Sequence, residues 1–223
     1  MDKIDLENRL RALKAELNKT TLVAVSKYSP IEDVALAYEV GQKDFGENRV
    51  QDLKEKADYF SEHNHKDVRW HFIGGLQSNK VKELLKIPNL WAIHSVSSKK
   101  ILEELLKREL EFQGTELKLF FQLNTSHEDE KSGFETVDEL KEAIDELSSH
   151  KDSKLKVYGL MTMGAIRTDN FEESAIKSFK NLKEVRKILG LPDLKLSMGM
   201  SQDYKLALKE GADFIRVGSL IFK

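Results

Sequence analysis

The stretch Thr21-Leu22-Val23-Ala24-Val25-Ser26-Lys27 begins the pattern that decides the fold. Its apolar residues predict a short strand over 22–26, and a lysine stands where that strand ends. Ser29-Pro30 follows and introduces an amphipathic stretch, 31–40, whose spacing predicts a helix. The same order, a short apolar run and then a longer amphipathic one, recurs along the rest of the chain.

Eight candidate strands alternate in this way with helices. The strands are predicted over 22–26, 44–46, 69–73, 91–94, 117–124, 157–161, 194–197 and 214–217. The helices are predicted over 4–17 and then over 31–40, 50–60, 79–86, 99–111, 137–147, 171–189 and 202–209. This alternation predicts an α/β protein with a single (β/α)8 barrel of the triosephosphate isomerase type.

The two ends of the chain complete this barrel. The chain stops at Lys223, shortly after the last predicted strand, so we expect no helix to follow it. The amino-terminal helix is then free to fill the vacancy in the outer ring, and residues 1–223 form one domain. An open doubly wound sheet is the alternative, but it usually has fewer strands and a glycine-rich turn after the first, where this chain has Lys27-Tyr28-Ser29-Pro30.

Composition excludes several classes of function. A formal net charge of −2 argues against a general nucleic-acid-binding surface. The chain has no cysteine, which excludes a disulfide, a thiolate nucleophile and a cysteine-ligated metal. No apolar run approaches the ~18 residues of a membrane span. We therefore expect a cytoplasmic protein, monomeric because no apolar stripe stands out, and without a metal because only His63-x-His65 has short histidine spacing.

Two short turns rich in glycine and serine predict a phosphate site. Ser197-Met198-Gly199-Met200-Ser201 and Val217-Gly218-Ser219 follow predicted strands seven and eight, whose loops typically build the phosphate site of such barrels. Gly199 and Gly218 let the backbone approach an anion, Ser201 is a candidate N-cap of the next helix, and Ser219 adds a hydroxyl. The alternative interpretation is two ordinary strand-to-helix turns.

Lys27 predicts a second feature of the ligand, a group that reacts with an amine. By the alternation of a strand it shares a face with Val23 and Val25, where an ammonium group is costly to bury. A Schiff base removes that charge, and burial would lower the pKa of the amine. A lysine opposite a phosphate site indicates an aldehyde-bearing phosphate, and pyridoxal 5′-phosphate (PLP) fits this description. A lysine that reaches solvent from the barrel rim is the alternative.

Three further side chains are candidates for the same site. Arg216 shares its face of the last strand with Phe214, and inside the barrel it could donate to a pyridine nitrogen; a structural ion pair is the alternative. Asn48 follows the second strand and His71 lies in the third, and either could pack or bond around a ring, although a satisfied barrel histidine is the commoner role. The polar loop 125–133 after strand five could form a lid.

Several motifs together resemble a known family. They are Ala24-Val25-Ser26-Lys27, Phe45-Gly46-Glu47-Asn48, Trp70-His71-Phe72-Ile73-Gly74, Leu76-Gln77-Ser78-Asn79-Lys80, Gly159-Leu160-Met161-Thr162, Leu196-Ser197-Met198-Gly199-Met200-Ser201-Gln202-Asp203 and Ile215-Arg216-Val217-Gly218-Ser219-Leu220-Ile221-Phe222. They run from the first strand to the last and are similar to those of the YggS/PROSC family of PLP homeostasis proteins. Gly75 and Met163-Gly164 depart from the usual residues of that family without touching the lysine or the phosphate turns.

The resemblance implies a barrel like the amino-terminal domain of alanine racemase. It implies the PLP lysine at Lys27, the phosphate turns at 197–201 and 218–219, and the pyridine-nitrogen partner at Arg216. It also implies a regulator or carrier of PLP, with apo PLP enzymes as possible acceptors. A racemase needs a second acid–base group, which alanine racemase takes from a separate domain that we do not expect here. A PLP-dependent racemase or other PLP enzyme, and a Schiff-base aldolase-type barrel without PLP, are the alternatives.

Overall fold

A computed structural model describes residues 2–124, 132–164 and 170–223. Eight parallel strands close a barrel in which each strand pairs with the next along the chain and β8 pairs with β1. The strands are β1 Thr21–Val25, β2 Asp44–Glu47, β3 Arg69–Phe72, β4 Leu90–Val96, β5 Leu117–Gln122, β6 Leu155–Met161, β7 Lys195–Met200 and β8 Phe214–Val217. The predicted (β/α)8 barrel is therefore confirmed.

Helices surround the barrel in the described residues. They are α1 Lys3–Ala15, α2 Ile31–Glu39, α3 Val50–Glu62, α4 Val81–Leu85, α5 Lys99–Lys107, α6 Val137–Ser149, α7 Phe171–Ile188, α8 Tyr204–Lys209 and α9 Ser219–Phe222. Short 3₁₀ turns, Ser78–Lys80 and Glu109–Glu111, precede α4 and follow α5. Side-chain oxygens begin three of the helices, since Asp2, Ser98 and Thr136 accept hydrogen bonds from backbone N–H groups of α1, α5 and α6.

The apolar core has two layers, as expected of a filled barrel. The larger layer lies between the strands and the helices and includes Ile215 and Val217 of β8. The smaller lies inside the barrel and consists of Val23, Ala92, Phe120, Met161 and Phe214. Because Phe214 belongs to the inner layer, Arg216, two residues further along β8, faces the barrel interior.

The amino-terminal helix fills the outer ring as predicted. α1 buries Leu6, Leu10 and Leu13, and it contacts both α2 and α9. Glu16, which follows α1, accepts a hydrogen bond of 3.2 Å from the hydroxyl of Tyr204 in α8. The expectation that no helix follows the last strand is wrong, because α9 adds one turn there.

The largest difference from the predicted elements is in β7. The strand was predicted to end at Ser197, with a turn after it, but it continues to Met200. The glycine and serine composition of this stretch obscured the strand, which contains Gly199 at a φ of +94°. None of the helices in the described ranges combines the length and the apolar character needed to cross a membrane.

Candidate ligand-binding site at the carboxyl end of the barrel

Lys27 lies two residues beyond the end of β1 and is exposed. The expectation that its side chain is buried on the inner face of the strand is therefore wrong, and the alternative, a lysine that reaches solvent from the barrel rim, agrees with its exposure. The alternation of strand faces ends with Val25, and the chain then turns through Tyr28 at a φ of +67°. This left-handed conformation is uncommon for a bulky residue and directs the chain over the rim of the barrel. The Lys27 amine lies 5.8 Å from the centre of the exposed Tyr28 ring.

A buried ion pair supports the backbone just before Lys27. The Lys56 amine lies 2.6 Å from Glu47 Oε1 and donates a 2.8 Å hydrogen bond to the carbonyl of Ser26. The Ser26 hydroxyl donates to the same carboxylate oxygen at 2.6 Å. Burial raises the pKa of Glu47, and the charge of Lys56 opposes that effect. Glu47 Oε2 has no hydrogen-bond partner among the described residues. The exposed lysine thus follows a backbone segment that is firmly held from beneath.

The ends of β7 and β8 come together through Ser201. Its hydroxyl oxygen accepts a 3.3 Å hydrogen bond from the backbone N–H of Gly218, which leaves its hydrogen to donate elsewhere. Ser201 does not cap α8 as predicted, because the N-cap position belongs to Asp203. Ser219 is exposed at the start of α9. The structure therefore brings the two predicted phosphate-binding segments together at the carboxyl end of the barrel.

Met198 and Gly199 face away from this mouth. The Met198 side chain is buried in the layer between the strands and the helices. A Cβ at Gly199 would lie 2.5 Å from the Cβ of Ala207 in α8, so the glycine is required for helix packing. Contributions of these two residues to a ligand are therefore limited to their backbone. Asp203, buried beneath them, accepts a hydrogen bond from the N–H of Met200, and burial raises its pKa.

Arg216 is buried inside the barrel, near the end of β8. Its guanidinium donates to Ser197 Oγ at 2.6 Å and to the carbonyl of Thr162 at 3.0 Å. Burial lowers its pKa to about 10, and the carboxylate of Asp203 opposes that effect. The group therefore remains a cation at neutral pH. The prediction that Arg216 points into the barrel interior is confirmed.

His71 belongs to a polar column that extends from Arg216 through the barrel. Its Nε2 lies 3.0 Å from Asp44 Oδ1, and its Nδ1 lies 2.9 Å from Nε2 of His94. Nδ1 of His94 lies 2.8 Å from Ser197 Oγ, which also receives the bond from Arg216. Both ring nitrogens of His71 are thus engaged by protein groups. These contacts agree with the alternative, a satisfied barrel histidine. A contribution of His71 to ligand binding stays a prediction.

Burial lowers the pKa of both column histidines. For His71 the carboxylate of Asp44 partly offsets this effect, whereas for His94 the charge of Arg216 and the neighbouring His71 add to it. Both rings are therefore neutral at pH 7 and have one donor and one acceptor each. The ring of His94 also stacks on Phe120, with centroids 4.1 Å apart.

Asn48 lies directly after β2, beside a cleft of about 270 Å³ at the same end of the barrel. Arg49, Gln77 and Lys80 line this cleft. Oδ1 of Asn48 is buried and has no hydrogen-bond partner in the part of the chain that the structure describes. The Arg49 guanidinium lies 5.9 Å from the centre of the Tyr28 ring, which connects the cleft with the segment around Lys27.

Sequence reasoning missed the residues that support the predicted ones. Asp44, His94 and Lys56 were assigned only to strands and a helix, and Glu47 was named only within the motif Phe45-Gly46-Glu47-Asn48. One available signal was the presence of histidines in two consecutive apolar strands. Another was the glutamate Glu47 directly after the predicted strand 44–46. The lid predicted over 125–133 falls mostly on residues 125–131, which lie outside the described residues. Among the described residues, no group of three or more acidic or histidine side chains is arranged to hold a metal.

Two curated relatives of the chain carry the same name. A pyridoxal phosphate homeostasis protein of Schizosaccharomyces pombe is 40% identical over 205 residues, which cover 90% of this chain and 82% of the relative. The chain belongs to the pyridoxal phosphate homeostasis protein family. The family member of Helicobacter pylori is also 40% identical, over 91% of this chain and 86% of its own. The resemblance inferred from the motifs is confirmed, although no protein-family model matches the chain.

Solved structures agree with this family assignment. PipY of Synechococcus elongatus PCC7942, solved with PLP bound, is 31% identical, with a TM-score of 0.82 over 98% of this chain and 100% of PipY. Alanine racemase of E. faecalis is 18% identical, with a TM-score of 0.74, and the barrel covers 57% of that enzyme. At this identity the racemase supports the fold alone, and the predicted alanine racemase-like barrel is confirmed.

Proposed function

We propose that this protein binds PLP reversibly at the carboxyl end of its barrel and serves PLP homeostasis. The observation that carries the proposal is the likeness to PipY, a structure with PLP bound that matches almost the whole chain at 31% identity. The curated relatives named for PLP homeostasis support the same function.

The residues present fit such a ligand. PLP supplies an aldehyde that condenses reversibly with amines, and a ring that stores electrons best when its nitrogen is protonated. We propose that Lys27 holds the aldehyde carbon as a Schiff base. Its exposure supports binding and release, because water and acceptor amines can reach the bond. The buried Lys56–Glu47 pair beneath Ser26 orients the segment that carries it.

The phosphate and the ring have separate partners in this proposal. The hydroxyls of Ser201 and Ser219 and the backbone around Gly199 and Gly218 bind the phosphate as hydrogen-bond donors. Arg216 donates to the ring nitrogen from inside the barrel. The buried Asn48 oxygen, which has no partner among the described residues, can accept a hydrogen bond from the ligand.

We propose that turnover of amino acids is weak or absent. Arg216 is a permanent cation at neutral pH, so it disfavours protonation of a ring nitrogen beside it. A ring that stays unprotonated is a poor store for the electrons that racemisation or transamination generates. The exchange of PLP with acceptor amines needs no such store.

Reduction with borohydride, followed by peptide mapping, tests the attachment. We expect the pyridoxyl group on Lys27, and a label on Lys80 or another lysine would overturn the assignment. To test the function, holo-protein is mixed with an apo PLP enzyme and recovery of that enzyme's activity is followed. A parallel screen of amino acids by chiral chromatography checks turnover. Turnover rates in the ordinary enzyme range of about 1–10³ s⁻¹ would contradict the proposed carrier function and indicate an enzyme.

A further inference from the structure

The polar column inside the barrel connects its two ends. Asp44 is the first residue of β2, at the amino-terminal end of the strands, whereas Arg216 lies near the carboxyl end of β8. Between them stand His71, His94 and Ser197, all fully buried, joined by contacts of 2.6–3.0 Å. Such an unbroken chain of buried polar groups is costly to assemble unless each member is satisfied.

The chemistry of the two ends of the column fixes the direction in which its hydrogen bonds are donated. Asp44 also accepts a hydrogen bond from the half-exposed guanidinium of Arg69, so it is a carboxylate and can only accept. His71 must therefore donate from Nε2 and accept at Nδ1. His94 then donates from Nε2 to His71 and accepts at Nδ1.

The remaining link joins Ser197 to Arg216. Because Nδ1 of His94 accepts, the hydroxyl of Ser197 donates to it. The oxygen of Ser197 is then free to accept from Arg216, which has only donors. The hydrogens that link these five groups thus all point towards Asp44, and each link has one donor and one acceptor without a proton on either histidine beyond the neutral form.

We propose that Asp44, His71, His94 and Ser197 are positioning residues that hold the Arg216 guanidinium in place beneath the ligand ring. If the hydrogen bond between His94 and Ser197 were reversed, Ser197 would receive hydrogens from both His94 and Arg216. If the bond between Ser197 and Arg216 were reversed, two donors would face each other. The column therefore fixes both the position of the guanidinium and the acceptor strength of Ser197. This role rests on the proposed function, since the ring nitrogen of PLP is the group that Arg216 would meet. The direction of the chain itself does not depend on any ligand.

The first test uses the protein without ligand. Long-range ¹H–¹⁵N correlation spectra of ¹⁵N-histidine-labelled protein at pH 7.5 report which ring nitrogen of each histidine carries hydrogen. We expect His71 and His94 both to be protonated at Nε2 alone. Protonation at Nδ1 of either ring would overturn the chain direction. This result stands whether or not the protein binds PLP.

The second test measures whether the polar column positions Arg216 for its contact with the ring nitrogen. Affinity is measured for PLP and for its 1-deaza analogue, in which a C–H group replaces the ring nitrogen. We expect the wild-type protein to prefer PLP by about tenfold or more, because the bond to the nitrogen comes from a charged donor. Arg216→Ala should remove the preference. His94→Phe, which keeps the stacking on Phe120 but cuts the chain, should reduce it to about threefold or less.

Two further variants keep the test decisive. If His94→Phe does not fold, Asp44→Ala removes the acceptor at the far end of the column, and we expect it to lower the preference by at least about twofold. Ser95→Ala is the matched control, because Ser95 is buried on the opposite face of β4 next to His94. A merely structural role would weaken both ligands equally and leave the preference intact, which would overturn the proposal. Equal affinities in the wild type would overturn it as well, whereas failure to bind either ligand would reject the proposed function instead.

Discussion

Lys27 follows β1 and Arg216 lies in β8, which pairs with β1, yet one charged group is exposed and the other is buried. Lys27 is exposed beyond the end of its strand, and only the backbone before it is fixed. Arg216 is buried, and its guanidinium is bound to Ser197 and Thr162. A group that must form and release a covalent bond needs access to solvent, whereas a group that recognises one ring atom needs a fixed position. The difference therefore agrees with a carrier whose recognition is rigid and whose attachment is exchangeable.

The largest expected effect comes from the buried pair beneath the exposed lysine. Lys56→Met leaves the Glu47 carboxylate buried without a cation, and removal of one partner of such a pair costs about 3–5 kcal/mol. Urea unfolding of ligand-free protein at pH 7 measures this loss. Lys54→Met, in the same helix but half-exposed, is the control and should leave the unfolding free energy almost unchanged.

A second variant tests the cause of that loss. Glu47→Gln combined with Lys56→Met removes both charges, so it should recover a large part of the stability. If the double variant is as unstable as Lys56→Met alone, packing and not charge determines the role of this pair.

The second prediction compares one variant in the buried column with one at the exposed lysine. His94→Ala removes the ring stacked on Phe120 and leaves the Ser197 hydroxyl hydrogen and His71 Nδ1 without the partner that His94 supplies. This should cost about 2–4 kcal/mol of unfolding free energy. Lys27→Ala changes an exposed side chain and should alter stability by no more than about 0.5 kcal/mol. It should nevertheless abolish the imine absorbance on addition of PLP. A large stability loss for Lys27→Ala would remove the contrast between the two regions.

The exposed and the buried region also differ in how far the sequence predicts them. The barrel follows from the alternation of strands and helices, and β8 has the predicted bounds of 214–217. The inward orientation of Arg216 was predicted correctly because its strand neighbours, Ile215 and Val217, are apolar and face the helices. These inferences need only the local period of a strand.

What the sequence did not predict depends on contacts between distant strands. The link between His94 and Ser197 joins residues 103 positions apart, and no local pattern specifies it. The exposure of Lys27 was missed because strand alternation was extended past Val25, where the strand ends. The continuation of β7 was missed because Gly199, required by close packing on Ala207, resembled a turn glycine.

The third prediction concerns the phosphate side of the mouth. Replacing Ser201 and Ser219 together with alanine removes two hydroxyl donors to a charged acceptor, worth about 1.5–3 kcal/mol each before compensation. Affinity for PLP should fall by at least about tenfold, while affinity for unphosphorylated pyridoxal changes little. The N–H of Gly218, which loses its bond to Ser201, can compensate in part. Equal losses for both ligands would mean that these serines support the fold instead.

The smallest expected effect is a pH dependence that belongs to the buried column. In the unfolded chain histidines titrate near pH 6.5, whereas burial holds the pKa of His71 and His94 lower in the folded protein. Below about pH 6.5 the unfolded chain therefore binds protons that the native protein does not, and stability falls as the pH falls. Glu47 and Asp203, whose pKa values burial raises, have the opposite sign, because protonation favours their folded state as the pH falls.

A comparison of slopes isolates the contribution of the histidines from that of the carboxyl groups. Unfolding free energy is measured by urea titration between pH 5.5 and 7.5 for the wild type, His94→Gln and His150→Gln. Each histidine contributes a slope of up to about 1.4 kcal/mol per pH unit, so His94→Gln should flatten the curve by up to that amount. His150→Gln serves as the control because it replaces an exposed histidine outside the column. An unchanged slope in His94→Gln would show that His94 takes up its proton equally in the folded and the unfolded state. The histidines of the column would then differ from the exposed residues of the rim in burial but not in their protonation on folding.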